Sequence, residues 1–289
     1  MNVLLSIVGF YLNIMAKISP KTAGKHGFFI FCYPVYFASK KEKDFLQSSK
    51  WIDFEFDGNK IATYKWGHGP KRVLLLHGWQ SNSARWEDYI AQFDLNEYTL
   101  LAFDSPAQGL STGYQLNLLK YGKLINHFLS SIPNIDIVIG HSFGAFASLY
   151  TFHEYENSPI EKLIILASPG EVMDFVKYYQ KLVGINENVG KLINHYFNKI
   201  YKIDFSDMSA SKFAREMDMT GLIIHDIDDK QAPVKYARKI HKAWKESKLV
   251  LTEGKGHSLN RPEVFQIIAK FIEEGNITTK AFQKKAIAV

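Results

Sequence analysis

The stretch that decides the fold is IDIVIGHSFGAFASLYTFHEY, residues 135–155. It opens with an Ile/Val run of strand length, passes through GHSFG at 140–144, and continues into a segment that suits a helix. At such a strand-to-helix turn the flanking glycines, Gly140 and Gly144, remove Cβ atoms that would collide, and the serine is held in strained geometry with its Oγ exposed. We therefore interpret Ser142 as a nucleophile.

Further apolar runs of strand length lie on both sides of this stretch. They are RVLLLH at 72–77, YTLLAFD at 98–104, KLIILAS at 162–168, GLIIHD at 221–226 and KLVLTE at 248–253. Continuous runs of Val, Ile and Leu, separated by helix-length stretches, are typical of parallel strands covered by helices on both faces. The sequence predicts an α/β fold with a mostly parallel central sheet, preceded by a β-hairpin around Asp57-Gly58-Asn59.

Changes in composition divide the chain. Residues 51–169 and 220–275 are expected to form the α/β core. Residues 170–219 are too long for a single crossover helix and are rich in Tyr, Phe and Leu, which indicates a small helical cap over an apolar pocket. Residues 1–50 are an additional N-terminal amphipathic helical segment, and residues 276–289 a C-terminal tail.

The N-terminal segment allows two interpretations. Its apolar run at residues 3–15 is too short to span a bilayer, and polar or small residues recur along it as one narrow stripe of a helix. A second helix is expected from Pro20, with Ser19 as its N-cap. We favour packing of both helices on the body through their wide apolar faces. The alternative is peripheral membrane contact, since residues 1–50 contain seven Lys and two acidic residues.

A serine nucleophile needs a base within hydrogen-bonding reach, and the base needs an acid that fixes its tautomer. His257 follows the strand run KLVLTE and precedes a helical stretch, so it lies at the carboxyl end of a strand. Three acids, Asp226, Asp228 and Asp229, follow the run GLIIH closely, and from the residues alone each could reach the histidine. The predicted base is His257, with the acid open among the three.

Acyl transfer also needs N–H donors aimed at the developing oxyanion. The sequence His77-Gly78-Trp79 follows a buried strand run, where a turning loop can point a backbone N–H at a carbonyl oxygen. Phe143 N–H is the second candidate donor. We interpret His77 as a structural residue that holds this loop by hydrogen bonds.

Taken together, HGW at 77–79, FDSPAQGLS at 103–111, GHSFGA at 140–145, HDIDDKQAP at 225–233 and GKGHS at 254–258 resemble the α/β-hydrolase superfamily over about residues 55–273. The resemblance implies that Asp229 is the triad acid, by alignment with H-G-x-x-D-x-x-V-P, and that Trp79 provides an oxyanion donor. The chain departs from the family pattern at Ala107, Gln108 and Asp226. The short cap resembles the bacterial esterase and lysophospholipase-like branch.

Three functions are compatible with these residues. The first is hydrolysis of carboxylic esters, small or lipid-like, through an acyl-enzyme. The second is hydrolysis of a carbon–carbon, thioester or amide bond with the same triad, and the third is a binding protein on the same fold. The first is favoured over the third because a binding role does not need an intact triad.

The composition argues against a nucleic-acid-binding protein and against a disulfide-bonded one. Net charge is +6, but the excess lies at the chain ends, and no basic patch with stacking aromatics indicates nucleic acid as a partner. Cys32 is the only cysteine, so an intramolecular disulfide is excluded. We predict no metal and no cofactor, and a cytoplasmic location with or without peripheral contact at the membrane surface. The sequence carries no signal for an oligomeric state.

Overall fold

The computed structural model describes residues 3–34, 36–155 and 160–274, so the expected C-terminal tail at 276–289 lies outside the described residues. The strands are β1 Lys50–Trp51, β2 Glu55–Phe56, β3 Asn59–Lys60, β4 Thr63–Gly67, β5 Lys71–Leu76, β6 Tyr98–Phe103, β7 Ile137–His141, β8 Lys162–Leu166, β9 Thr220–Asp226 and β10 Ser247–Thr252. The helices are α1 Val3–Ile18, α2 Pro20–Phe31, α3 Lys40–Leu46, α4 Glu87–Ile90, α5 Leu118–Ser131, α6 Phe143–Glu154, α7 Val172–Val183, α8 Glu187–Tyr201, α9 Ala210–Phe213, α10 Lys235–Ala243 and α11 Pro262–Glu274.

Eight strands form the central sheet in the order β1-β4-β6-β5-β7-β8-β9-β10. The pairs β1·β4 and β4·β6 are antiparallel, and β6·β5, β5·β7, β7·β8, β8·β9 and β9·β10 are parallel. The predicted mostly parallel sheet is confirmed. Since β5, β7, β9 and β10 run in the same direction, the loops that follow them meet at one edge of the sheet.

Helices cover both faces of this sheet. Alternate residues of a strand point to opposite faces, and Leu74 and Leu76 of β5 accordingly join the core beneath α5, α6 and α10. Val73 and Leu75 join a second core beneath α4 and α11. This double burial explains why the strand sequences are continuously apolar rather than alternating.

The predicted hairpin forms between β2 and β3. Its two connecting residues, Asp57 and Gly58, have φ of 53° and 69°, as a type I′ turn requires. The hairpin is a small sheet separate from the central one.

Residues 170–219 contain α7, α8 and α9, and the two N-terminal helices pack on α7 and α8. Small residues allow the close approach: a Cβ on Gly9 would lie 1.9 Å from Val183 O, and one on Gly24 would lie 2.6 Å from Leu192 O. Asn13 of α1 also donates from Nδ2 to Gly184 O (3.0 Å). The N-terminal segment is therefore joined to the cap.

The expectation that α1 packs through its wide apolar face is only partly met, because one side of that face packs, with Leu5, Val8 and Met15 half-buried against the core. The buried residues of α1 are Gly9, Leu12 and Ala16, whereas Phe10 and Ile18 are 69% and 72% exposed. The reason is steric, because the small residues on this side let the helix axes come closer than large side chains would. α2 begins at Pro20 as predicted, but Ser19 Oγ contacts Thr22 Oγ1 (2.8 Å) rather than capping a backbone N–H.

Within the described ranges, no helix is long and apolar enough to cross a membrane.

Candidate active site

The loops after β5, β7, β9 and β10 bring the predicted site residues together. Ser142 directly follows β7, Asp229 lies three residues after β9, and His257 lies five residues after β10. Parallel pairing places these three strand ends on the same edge of the sheet. The residues predicted from separate segments therefore share one site.

Ser142 occupies the sharp turn between β7 and α6. Its φ is 52°, in the left-handed region that costs a non-glycine residue about 1–3 kcal/mol. Both glycines of the motif are needed for close approach: a Cβ on Gly140 would lie 2.7 Å from Ala145 Cα, and one on Gly144 would lie 2.5 Å from the carbonyl oxygens of Leu76 and His77. The backbone thus holds the serine hydroxyl at the sheet edge.

A continuous hydrogen-bond chain links the three side chains. His257 Nε2 lies 2.9 Å from Ser142 Oγ, and His257 Nδ1 lies 2.7 Å from Asp229 Oδ2. An ionised carboxylate can only accept, so Nδ1 carries the proton and Nε2 accepts from the serine hydroxyl. This is the arrangement in which a histidine can remove the serine proton during attack.

The other two acids of the β9 loop are placed elsewhere. Asp226 is buried and binds the end of β10 and the loop that follows it, accepting from Thr252 Oγ1 and from Lys255 N–H, both at 2.8 Å. Asp228 is exposed. Of the three candidates left open by the residues alone, the structure brings Asp229 to His257.

The carboxyl group of Asp229 is stabilised in its charged form. Burial alone would raise its pKa, but the hydrogen bond from His257 and the N–H groups of Ala232 and Gln231 outweigh burial and lower the pKa below its ordinary value of 3.8. The two N–H groups donate to Oδ1 at 3.0 and 2.8 Å, which leaves Oδ2 for the histidine. Asp229 therefore keeps its charge where it can fix the tautomer of His257.

The loop after β5 passes directly beside the serine. A Cβ on Gly78 would lie 3.1 Å from Ser142 Cβ, so this position needs a glycine for the close approach. Ser142 N–H donates to Leu166 O (2.8 Å) and is not free for an oxyanion. Phe143 begins α6, where the first N–H groups have no acceptor within the helix. Trp79 N–H and Phe143 N–H remain our candidate oxyanion donors.

His77 and Gln108 hold this loop from behind. Ser105 N–H donates to His77 Nε2 (2.9 Å), so the protonated His77 Nδ1 donates to Gly78 O (2.8 Å). Burial lowers the pKa of His77, which favours this neutral form. The side chain of Gln108 accepts from Ser81 N–H (3.2 Å) and donates to Ser105 Oγ (2.8 Å). The departure at Gln108 thus ties together the loops that follow β5 and β6.

The loop that carries His257 is held by a clamp of three side chains that the sequence did not predict. His141 Nε2 donates to His257 O (2.8 Å), Arg85 Nη2 donates to Ser258 O (3.1 Å) and Tyr89 Oη donates to Leu259 O (2.9 Å). Three consecutive carbonyls are therefore held by side chains from two distant segments, the one that contains Arg85 and Tyr89 and the turn at His141. The only sequence signal was the position of His141 beside Ser142.

His141 is suited to this role by its neutral charge. Burial, with further contributions from Arg85 and His257, holds its pKa well below the ordinary value of 6.5. A neutral imidazole with its proton on Nε2 donates to the carbonyl of His257. One residue of the serine's turn thereby positions the backbone of the base.

Aromatic side chains line the neighbourhood of the serine. The Phe143 ring meets the Trp79 ring edge to face, with centroids 5.6 Å apart, and the Phe175 ring of α7 at 5.7 Å. Phe175 also stacks on Phe146 at 6.4 Å. Helix α7 thus contributes to an apolar wall next to Ser142.

Among the residues that the structure describes, no group of three or more His, Cys, Asp or Glu side chains is placed to hold a metal ion. The polar atoms of the site bind one another instead.

The fold and this arrangement define the class of protein. The family model described as alpha/beta hydrolase fold matches residues 71–214. The chain belongs to the α/β-hydrolase superfamily. Membership in this superfamily supports hydrolase activity. No curated protein sequence matches the chain.

Solved structures agree on the fold. The esterase from Exiguobacterium antarcticum is 17% identical, with a TM-score of 0.60 over 78% of this chain and 100% of the esterase. The thioesterase domain from the curacin biosynthetic pathway is 15% identical, with a TM-score of 0.59 over 78% of this chain and 99% of that domain. The bromoperoxidase from Bacillus anthracis is 18% identical, with a TM-score of 0.59 over 78% and 100%. At these identities the similarity establishes the fold alone.

Proposed function

We propose that the protein is a serine hydrolase that cleaves carboxylic esters through an acyl-enzyme. The observation that carries the proposal is the hydrogen-bond chain from Ser142 Oγ through His257 to Asp229, with the serine at a strained strand-to-helix turn. A structural serine has no need of a partnered histidine or of positive φ. Both features suit a nucleophile.

In the proposed reaction, Ser142 Oγ attacks the ester carbonyl while His257 Nε2 takes its proton. The carbonyl oxygen becomes an oxyanion facing the N–H groups of Trp79 and Phe143, and each such donor is worth about 3 kcal/mol of barrier. His257 then protonates the leaving alcohol. Water, activated by the same histidine, releases the acid and restores the serine.

The aromatic wall favours an apolar acyl group. Trp79, Phe143 and Phe175 lie together beside the nucleophile, so an acyl chain placed there would bury apolar surface on the half-buried rings of Trp79 and Phe175. We therefore expect esters of longer aliphatic acids to be better substrates than acetates.

The test is an assay with p-nitrophenyl esters of increasing acyl length, comparing wild type with Ser142→Ala. We expect turnover to fall roughly 10⁶-fold in the variant. Ser258→Ala is the matched control, since Ser258 is an exposed serine next to His257. A fluorophosphonate reagent should add its mass once to wild type and to Ser258→Ala, and not to Ser142→Ala.

The assay also distinguishes the bonds cleaved. Full ester activity in Ser142→Ala would refute the proposal. A wild-type protein that is labelled by the phosphonate but inactive on every ester would have a reactive serine and another substrate, for which thioester, amide and carbon–carbon substrates form the next panel.

A further inference from the structure

Helix α1 presents two opposite faces of different character. Gly9, Leu12 and Ala16 are buried against the cap. On a helix of 3.6 residues per turn, the exposed large apolar side chains fall within an arc of roughly 120° on the other side. These side chains are Val3, Leu4, Ile7, Phe10, Tyr11, Ile14 and Ile18.

Specific contacts prevent α1 from rotating about its axis to bury its exposed apolar side chains. Gly9 meets the Val183 carbonyl, and Asn13 donates to Gly184 O and accepts from Asn186 N–H. Turning the apolar face inward would break both hydrogen bonds and drive large side chains against backbone. The helix therefore buries the side that carries Gly9, Leu12 and Ala16 and leaves side chains such as Ile7, 59% exposed, in contact with solvent.

The charged side chains of residues 1–41 have one sign. Residues 1–41 contain five lysines and no Asp or Glu. Lys17, Lys21 and Lys25 are exposed. A surface that combines exposed apolar side chains with unopposed lysines is complementary to anionic headgroups above an apolar layer.

The face continues from α1 onto α2. Tyr11 Oη lies 2.6 Å from His26 Nδ1, and the two rings stack with centroids 6.0 Å apart. His26 lines an open groove with Lys25, Phe29 and Ile30. We call the exposed apolar residues of α1, together with Lys17, Lys25 and Phe29, the docking face.

We propose that the docking face binds the surface of an anionic lipid bilayer, with α1 lying in the plane of the interface. Apolar side chains would enter the boundary of the acyl region while the lysines meet phosphate groups. Association with a second copy through the same face would bring lysines of both chains together, with no acid in residues 1–41 to pair with them. A bilayer supplies both the apolar layer and the negative charge.

Helix α7 contacts both the helix that carries the docking face and the residues beside Ser142. Gly9 of α1 contacts Val183 at the end of α7, and α7 carries Phe175 against Phe143 next to the nucleophile. A docked protein thus holds its cap beside the bilayer, which identifies membrane lipid esters as its substrate class. This consequence rests on the proposed esterase activity, whereas the binding itself does not.

The experiment is sedimentation of the full chain with vesicles of phosphatidylcholine alone and of equal parts phosphatidylcholine and phosphatidylglycerol. Ser142→Ala is included so that binding is measured independently of turnover. We expect both proteins to bind the anionic vesicles, to bind the neutral ones weakly, and to dissociate as salt is raised. Circular dichroism checks that each variant is folded.

Two variants test the two components. Ile7→Gln with Phe10→Gln removes apolar contacts, and Lys17→Gln with Lys25→Gln removes charge. Each lysine near an anionic surface contributes roughly a factor of five, so the second variant should weaken binding to anionic vesicles about thirtyfold. The matched controls are Leu95→Gln, an exposed apolar residue at the opposite edge of the sheet, and Lys242→Gln with Lys245→Gln at the end of α10, both expected to bind as wild type does.

Three results would overturn the proposal. The first is that the wild type does not bind anionic vesicles, a result that does not depend on the folding of any variant. The second is equal binding by the docking-face variants and the controls. The third is a stable wild-type dimer, measured by light scattering, that Ile7→Gln with Phe10→Gln converts to a monomer, because the face would then bind a second copy.

A final measurement separates this inference from the proposed function. Docking-face variants should lose hydrolysis of a lipid ester in anionic vesicles while keeping full activity on soluble p-nitrophenyl esters. Loss of both activities to the same degree would argue against docking and would leave the esterase proposal intact.

Discussion

The site formed by Ser142, His257 and Asp229 differs from helix α1 in whether its side chains have partners within the chain. At the site, Asp229 has acceptors matched to donors from His257, Gln231 and Ala232, and the histidine is matched to Ser142. On α1, large apolar side chains such as Phe10 remain exposed although the helix is firmly packed. The site is complete within one chain, whereas the helix surface is not.

This contrast indicates what each region requires of other molecules. A preorganised hydrogen-bond chain needs only a substrate, because its charges and tautomers are already fixed. An exposed apolar face gains free energy only when another surface covers it. Substitutions that disturb one region should therefore leave the other unaffected, and the predictions below test this separation.

The largest effect should come from Asp229→Asn. The amide cannot hold His257 in the tautomer that accepts the serine proton, so ester turnover should fall about 10⁴-fold. Steady-state kinetics on a p-nitrophenyl ester measure the loss. Vesicle binding should be unchanged.

Asp228→Asn is its matched control. Asp228 is adjacent in sequence but exposed, and its backbone N–H donates to Asp226 Oδ1 (3.1 Å). Turnover should stay within about twofold of wild type, since an isolated surface change is nearly neutral. A large loss in Asp228→Asn with little in Asp229→Asn would reverse our assignment of the acid.

Much of this first region was predictable from sequence. Continuous apolar runs predict strands buried on both faces, and GHSFG between a strand and a helix predicts the turn at Ser142. The residues alone did not choose among Asp226, Asp228 and Asp229. That choice depends on the loop conformation after β9, which only the family motif anticipated.

The second region was predicted less well for a physical reason. Hydrophobic periodicity finds the amphipathic helix α1 but assumes that its large apolar side faces the protein. Here Gly9 and Ala16 allow a close contact with residues 170–219, so the side of α1 that carries them and Leu12 packs, and the rest of the apolar side chains stay exposed. The clamp from His141, Arg85 and Tyr89 was missed for a related reason, because it depends on three-dimensional contacts to backbone carbonyls that no local pattern encodes.

A smaller effect is expected from His141→Leu. The change removes the donor to His257 O and frees the loop that carries the base, and small misplacements of a catalytic group cost up to about a hundredfold. We expect kcat to fall roughly tenfold to a hundredfold with little change in KM. His195→Leu, an exposed histidine of α8, should retain wild-type kcat. Equal kcat values for both variants would remove His141 from the positioning of the base.

Gly9→Ala tests the packed side of α1 against Ile7→Ala on its exposed side. In an isolated helix alanine is favoured over glycine by about 1 kcal/mol, yet the added Cβ would lie 1.9 Å from Val183 O. We expect the free energy of unfolding in urea to fall by about 1–3 kcal/mol for Gly9→Ala and to change by under about 0.5 kcal/mol for Ile7→Ala. Stabilisation by Gly9→Ala would mean that α1 does not pack as described.

The smallest effect concerns acid stability at the site. The folded pKa of Asp229 lies below its ordinary value of 3.8, so its ionisation stabilises the fold above pH 3.8 and this contribution is lost as pH falls through the lowered folded pKa. The difference in unfolding free energy between wild type and Asp229→Asn should be constant above that value and should shrink below it. Urea unfolding across a series of acidic buffers measures this difference. Because α1 carries no acid, Ile7→Gln with Phe10→Gln should follow the wild-type pH profile throughout, and a changed profile in that variant would show that the two regions are coupled.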